Sequence, residues 1–229
     1  MKHSLSFSAL IVALSMACNA VHADDITISE ESRTDGMALV TQEDGAAPFV
    51  IDAADAEVVA TAAQAVCGDI ETVTGVRPAV LTSVPSAGTA VIAGTIGQSS
   101  LIDGMVESGR LDVSGIKGKW EAFGLQMVEN PVDGLDKALV VFGSTPRGTA
   151  YALFEISRLA GVSPFIWWAD VAPQKRQALH VGGDRTLVGE PSVKYRGIFI
   201  NDEDWAYGCG QRTTSSPTTE TWVRRPMPR

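Results

Sequence analysis

An apolar strand that runs through a glycine-containing turn into a helix occurs twice, and this repeat constrains the fold most strongly. In the first copy, a buried strand at 89–93 leads into the turn 94–100. In the second copy, a strand at 138–142 leads into the turn 143–148 and a helix that ends at Leu159. Strands that alternate with helices in this way are typical of α/β domains. We therefore predict an α/β fold.

A long segment, 55–74, is predicted to be the first helix, because its apolar residues recur at helical spacing. Asp52 is expected to cap the N-terminus of this helix, and Gly75 is expected to end it. Cys67 is expected to be a small buried apolar residue rather than a reactive thiol. The turn 130–134 indicates that the strands on either side of it pair with each other. Further strands are predicted at 26–29, 38–41, 49–51, 79–83, 121–129, 178–182 and 193–200, and a further helix at 101–107.

The composition excludes several classes of protein. Of the 229 residues, 45% are hydrophobic and 20% are charged, which is typical of a chain that folds around a core. The formal net charge of -9 opposes binding to nucleic acid and to anionic membranes, since both require a basic face. The 3 cysteines and 3 histidines lack the spacing of a disulfide framework or a zinc site. We therefore predict no metal and no cofactor, and the oligomeric state is open.

Residues 1–23 have the pattern of a secretory signal peptide. A basic start precedes an apolar run at 5–17, and small residues place a cleavage site before Asp24. A lipoprotein signal that uses Cys18 is the alternative. No later stretch has the roughly 20 apolar residues of a membrane span. The protein is therefore predicted to be exported, to the periplasm or the extracellular space.

The segment 206–229 differs in composition from the rest of the chain. It has four arginines and a single acidic residue, Glu220. It is rich in Ser, Thr and Pro, and its apolar residues show neither helical nor strand periodicity. Such a segment cannot bury enough apolar surface to offset the entropy of ordering it. It is predicted to be a disordered or non-native tail, and a basic arm is the alternative.

Two turns carry candidate binding groups. The turn 94–100 presents backbone N–H groups at a helix N-terminus, where an anion binds favourably. It lacks the glycine patterns of dinucleotide and phosphate loops, so a tight strand-to-helix connection is the alternative. Arg147 lies in the first turn of the next helix, where a cation is mildly unfavourable unless it faces an anion. Arg147 is predicted to form either a structural salt bridge or a ligand contact.

Aromatic and acidic residues follow these turns along the chain. Trp167 and Trp168 are adjacent, so on an extended chain at most one can stack on a sugar while the other fills the core. The predicted strand 193–200 ends in the acidic cluster 201–204, Asn-Asp-Glu-Asp. Carboxylates and an amide at a strand's C-terminal end suit sugar hydroxyls or acid–base chemistry. Solvated loop charge is the alternative.

Several long motifs in the same order resemble glycoside hydrolase family 115, the α-glucuronidases. The resemblance runs from about residue 48 to Trp205. It implies an exported, exo-acting, inverting enzyme that removes α-1,2-linked glucuronic or 4-O-methylglucuronic acid from xylan. It implies a mixed-sheet α/β accessory domain followed by a (β/α)8 barrel. The motifs are VIAGTIGQSSLID, LDVSGIKGKWEAF, VENPVDGLDKALVVFGS, RGTAYALFEIS, GVSPFIWWADV and GEPSVKYRGIFINDEDW.

The resemblance assigns substrate contacts but no catalytic residue. It implies that Asn201 and Asp202 contact the glucuronosyl unit and that Arg147 binds the carboxylate of this sugar. The implied partner is glucuronoxylan or an aldouronic oligosaccharide. Pro146 departs from the family, which commonly has a basic residue at that position.

The predicted division is a signal peptide at 1–23, an α/β domain at 24–191, the first barrel strand and site loop at 192–205, and the unrelated tail at 206–229. The family pattern stops after Trp205, so the chain is expected to be a truncated enzyme with only the first strand of the barrel, inactive as it stands. A neighbouring reading frame through 220–228 can encode Gly-Asp-Val-Gly-Pro-Lys-Thr-Tyr-Ala, which resembles the family's continuation. A frameshift is therefore our hypothesis for the tail.

Two other classes of protein are alternatives. The first is a secreted, non-catalytic carbohydrate-binding or accessory module, which hydrolysis of glucuronoxylan would distinguish from an enzyme. The second is a nucleotide-binding domain that uses the turn 94–100, which export and the missing glycine fingerprint oppose.

Overall fold

The computed structural model describes residues 24–166 and 171–197, which form two sheets and three helices. No helix in this part of the chain has the length and apolarity needed to cross a membrane. The helices are α1 (Glu57–Thr74), α2 (Ser100–Glu107) and α3 (Pro146–Leu159). The strands are β1 (Thr27–Ser29), β2 (Met37–Thr41), β3 (Gly45–Ala46), β4 (Phe49–Ile51), β5 (Val80–Leu81), β6 (Thr89–Thr95), β7 (Phe123–Glu129), β8 (Lys137–Gly143), β9 (Leu179–Gly182) and β10 (Arg185–Val188).

The larger sheet has six strands in the order β10-β7-β8-β6-β4-β5. Strands β8, β6, β4 and β5 are parallel; β7 pairs with β8 in antiparallel orientation, and β10 pairs with β7 in antiparallel orientation. The predicted pairing of the two strands around the turn 130–134 is confirmed, because β7 pairs with β8 over their whole lengths. The domain is thus a mixed-sheet α/β domain, as the sequence predicts.

The smaller sheet is antiparallel and joins the two ends of the described chain. Its four strands have the order β1-β9-β2-β3, and Thr27 pairs with Gly182. The sequence predicts strands near β1, β2 and β9, but their assembly into a second sheet was not foreseen. Their partners are separated by most of the chain, so local pattern carries no information about this pairing.

Both faces of the larger sheet are buried. Along β6, Val91 and Ala93 belong to one apolar cluster, whereas Ala90 and Ile92 belong to another. The first cluster contains the buried faces of α1, α3 and the smaller sheet. The second contains α2 and the loop from Leu111 onward. Because successive residues of such a strand point into two different cores, nearly all of them are apolar. This explains the continuous apolar run at 90–93.

The ends of α1 confirm one predicted cap and correct the other. Gly75 adopts the left-handed conformation with φ 79°, and its N–H donates to the carbonyl of Glu71 at 2.8 Å, as expected for a C-cap. Asp52 is not the N-cap, because α1 begins at Glu57 after Ala56.

The buried Cys67 packs in the first cluster, and burial raises the pKa of its thiol to about 12, so it is a structural residue.

The predicted strand 193–200 is wrong over 193–197, which form no strand, and 198–200 lie outside the described residues. A strand needs a neighbour for its backbone hydrogen bonds, and none pairs with 193–197 in the part of the chain that the structure describes. The first barrel strand is therefore not observed. Strand β10, which follows β9 through a tight turn, was missed because its residues are half-exposed and carry weak apolar periodicity.

Candidate functional site

Two aspartates from the end of β4 occupy the turn 94–100, the candidate anion site. The carboxylate of Asp55 accepts a hydrogen bond from the Thr95 N–H at 2.6 Å. The carboxylate of Asp52 accepts one from the Ser100 N–H at 2.8 Å and a second from the Ser100 hydroxyl. The protein's own carboxylates thus lie where an external anion would bind.

The other N–H groups of this turn are also satisfied internally. Gly97 donates to the Asp103 carboxylate at 2.9 Å, and Ser99 donates to the carbonyl of Thr95 at 2.9 Å. A Cβ on Gly94 would lie 2.5 Å from the Ser99 side chain, so this glycine permits close packing of the turn. The structure therefore supports the tight strand-to-helix connection at 94–100, and it opposes an anion site or a nucleotide-binding site at this turn.

Asp52 should stabilise the protein in a pH-dependent way. Hydrogen bonds from the Ser100 hydroxyl and the Ala54 N–H hold the pKa of the Asp52 carboxyl below its usual range. A depressed folded-state pKa contributes stability above the unfolded-state pKa, and this stability is lost as pH falls through the folded-state pKa. Asp52→Ala should lower the free energy of unfolding by about 0.5–2 kcal/mol at pH 7, as for the loss of a helix cap.

Urea unfolding followed by circular dichroism at pH 7 and at pH 3 checks this prediction. The difference in the free energy of unfolding between the wild type and Asp52→Ala should be smaller at pH 3 than at pH 7. Asp133→Ala, which removes an exposed aspartate from a turn, is the matched control and should change stability little at either pH. If both variants lost the same free energy of unfolding, the role assigned to Asp52 would be contradicted.

The second turn joins β8 to α3 and presents Arg147. Thr145 caps α3 by accepting the Gly148 N–H at 3.2 Å, and Pro146 begins the helix. Pro146 is compatible with the helix, since proline suits the first helical turn. A Cβ on Gly148 would lie 2.6 Å from the carbonyl oxygen of Ala122, so glycine lets this turn approach the start of β7.

Arg147 pairs with a carboxylate that the sequence did not single out. Its Nη1 donates to Glu121 Oε1 at 2.7 Å. The salt-bridge interpretation of Arg147 is therefore confirmed, and Glu121 offsets the unfavourable position of this cation at a helix N-terminus. The Arg147 side chain is nevertheless 67% exposed, so most of this side chain faces solvent.

Glu121 lies at the centre of this site. Its side chain is only 3% exposed, and its second oxygen accepts from Arg196 Nη2. Its φ of 50° is in the left-handed region, which is uncommon for a residue other than glycine and costs of order 1 kcal/mol or more. Both carboxylate oxygens are thus held by arginines, in a locally strained backbone.

Aromatic rings surround the second arginine. The Arg196 guanidinium lies 5.3 Å from the centroid of the Trp120 ring and 5.9 Å from that of Tyr151. Its Nη1 also donates to the carbonyl of Val193 at 2.8 Å. Planar guanidinium groups stack favourably on such rings. Arg196 therefore anchors the segment 193–197 beside the first turns of α3.

The electrostatics of the site oppose a role for Glu121 in proton transfer. Burial by itself raises the pKa of the Glu121 carboxyl, but the hydrogen bonds from Arg196 and Arg147 outweigh burial and hold this pKa below its usual range. A general acid at neutral pH needs a raised pKa. Glu121 with its two arginines is instead an ionised cluster with a net charge of one positive unit, which suits an anionic ligand.

The comparisons with known proteins point to one family. Among solved structures, the chain is similar to a family GH115 4-O-methyl-α-glucuronidase with specificity for decorated arabinogalactans, with 40% identity and a TM-score of 0.62. This similarity covers 79% of this chain and 22% of that chain. The chain is related to glycoside hydrolase family 115. It spans about a fifth of the length of this GH115 relative.

Other comparisons add little to this relationship. A solved structure of CpGH84D has a TM-score of 0.39 and 9% identity, over 72% of this chain and 23% of that chain. This likeness is too weak to bear on fold or function. No family model and no curated protein matches the chain.

The structure describes only one of the three residues of this chain that are predicted to contact the substrate. Arg147 lies at the carboxyl end of β8, whereas Asn201 and Asp202 are outside the described residues, as are Trp167 and Trp168. Sequence reasoning missed Glu121 and Arg196. Nothing in the local pattern marks them, because Glu121 precedes an ordinary strand and its partners come from two distant segments.

A shallow cavity of about 340 Å³ lies beside the turn between β7 and β8. This turn precedes β8, whereas Arg147 follows the other end of that strand. The cavity is lined by Arg110, Asn130 and Asp136, among others, and is remote from Arg147. Among the described residues, no group of three His, Cys, Asp or Glu side chains could hold a metal ion. The Glu121 cluster is therefore the candidate site.

Proposed function

We propose that this chain forms the uronate-recognising part of a glycoside hydrolase that acts on glycans with α-1,2-linked glucuronic or 4-O-methylglucuronic acid side groups. The 40% identity to a GH115 4-O-methyl-α-glucuronidase over 79% of the chain carries this proposal. The signal pattern at 1–23 supports export, to the periplasm or the extracellular space, where such glycans occur.

In this proposal Arg147 binds the carboxylate of the uronic acid. Its exposed guanidinium keeps donors free beyond the one that Glu121 accepts, and an arginine fork matches a carboxylate well. Asn201 and Asp202 would bind sugar hydroxyls. Glucuronoxylan or an aldouronic oligosaccharide is the proposed partner, and decorated arabinogalactans, for which the similar glucuronidase has specificity, are a further proposed partner.

A non-catalytic, secreted carbohydrate-binding module is the second candidate. One observation favours it: the carboxylate beside Arg147 belongs to Glu121, and both of its oxygens are engaged by arginines. Inverting hydrolysis needs two working carboxyl groups, roughly 6.5–9.5 Å apart. Glu121 is therefore not a candidate for either of these groups, and we propose that the 229-residue chain binds its glycan without hydrolysing it.

Carboxyl-dependent binding to glucuronoxylan tests the proposed receptor. Affinity electrophoresis should show retention of the chain by glucuronoxylan and much weaker retention by the same xylan after its uronic carboxyls are reduced to alcohols. Arg147→Ala should weaken the retention by roughly tenfold or more, since a hydrogen bond to a charged group contributes about 1.5–3 kcal/mol.

Arg158→Ala is the matched control for this experiment. Arg158 is also an exposed arginine of α3, but it pairs with Glu155 near the other end of the helix. Its removal should leave retention unchanged. Equal retention by native and carboxyl-reduced xylan, or equal effects of the two alanine variants, would contradict the proposed function.

A further inference from the structure

The Glu121 cluster joins three separate parts of the chain at one point. Glu121 precedes β7, Arg147 belongs to the first turn of α3, and Arg196 lies in the segment 193–197. The backbone reinforces this junction, because the carbonyl of Ala122 accepts both the N–H and the hydroxyl of Ser144 at 2.9 Å. The two arginines are thus held by a single carboxylate.

The two arginines differ in what they leave free. Arg196 donates to Glu121, to the Val193 carbonyl and to the Tyr151 hydroxyl, and its guanidinium lies between two aromatic rings. Arg147 uses one guanidinium nitrogen for Glu121, and most of its side chain is exposed to solvent. Arg196 is therefore an internal anchor, whereas Arg147 is available to a ligand.

Stability alone does not account for such a carboxylate. Removing Glu121 from water and holding it at a positive φ both cost free energy, and ion pairs recover such costs only with complete hydrogen bonding. Most of the Arg147 side chain is in solvent, where an ion pair contributes little to stability. What the pair does fix is the direction of the Arg147 guanidinium.

We propose that Glu121 is a positioning residue, which orients the Arg147 guanidinium for the carboxylate of a uronic acid and ties the segment 193–197 to the same point through Arg196. This inference rests on the proposed function, in which Arg147 contacts the sugar. The Glu121 side chain is only 3% exposed, so in this proposal Arg147, and not Glu121, contacts the sugar.

Arginine footprinting of the 229-residue chain tests the orientation directly. Phenylglyoxal modifies free guanidinium groups, and mass spectrometry gives the rate for each arginine. In Glu121→Gln, which keeps the shape and removes the charge, the rates at Arg147 and Arg196 should rise several-fold while the rate at Arg158 stays constant. Glu155→Gln is the matched control: it should raise the rate at Arg158 and leave the other two unchanged.

Binding to native and carboxyl-reduced glucuronoxylan completes the test. If Glu121 positions Arg147, Glu121→Gln should lose most of the preference for the native glycan, whereas a merely structural role would leave this preference intact in the folded variant. Unchanged rates at Arg147 and Arg196, or an unchanged preference despite faster rates, would overturn the inference. If the wild type shows no preference at all, the proposed function fails, and the footprint still decides whether Glu121 orients the arginines.

Discussion

Phe142→Ala should destabilise the domain by about 3–5 kcal/mol, the usual cost of removing a buried phenylalanine from a core. Phe142 on β8 is 0% exposed and packs in the second apolar cluster, against the face of the sheet that α2 covers. Its ring is so close to Gly124 that a Cβ there would lie 2.6 Å from it. Domains of this size are stable by only about 5–15 kcal/mol, so the loss is a large fraction of the total.

Urea unfolding at neutral pH measures this effect, and Phe165→Ala is the matched control. Phe165 is 62% exposed, so its removal should change the free energy of unfolding by no more than about 0.5 kcal/mol. Similar small losses in both variants would show that the second face of the sheet is not a packed core.

The parts of the fold that follow from local pattern could be predicted from the sequence. The helix α3 begins and ends where Pro146 and Gly161 indicate, and β6 and β8 are apolar throughout because both of their faces are buried. The cap of α1 by Gly75 also follows from local chemistry. In each case the information lies within a few residues of the feature.

The features that were missed depend on contacts between distant residues. Asp52 resembles an N-cap of α1, but its carboxylate accepts a hydrogen bond from Ser100, the first residue of α2. Glu121 was predicted only as the first residue of the strand 121–129, but two arginines from other segments bind its carboxylate. Arg147 was identified as an unfavourably placed cation, and this conflict with the helix dipole was the only local signal of the site.

The 229-residue chain should release no glucuronic acid from glucuronoxylan or from aldouronic oligosaccharides. Inversion requires one carboxyl group that donates a proton and a second that activates water on the opposite face of the sugar. Glu121 cannot fill either role, because both of its oxygens are bound by arginines and its pKa is lowered rather than raised. Asp202, Glu203 and Asp204 lie next to one another on a single short segment, so they cannot readily take opposite faces of the ring.

Chromatographic detection of glucuronic acid after long incubation measures this outcome, and the similar GH115 4-O-methyl-α-glucuronidase acting on a decorated arabinogalactan is the positive control for detection. A single well-placed carboxylate accelerates proton transfer by about 10²–10⁴-fold, far less than glycoside hydrolysis requires. Under the function we propose, the chain binds a uronic acid through Arg147 without cleaving its glycosidic bond. Clear release that disappears in Asp202→Ala but persists in Glu121→Gln would contradict this view and would assign Asp202 a catalytic role with a partner still to be found.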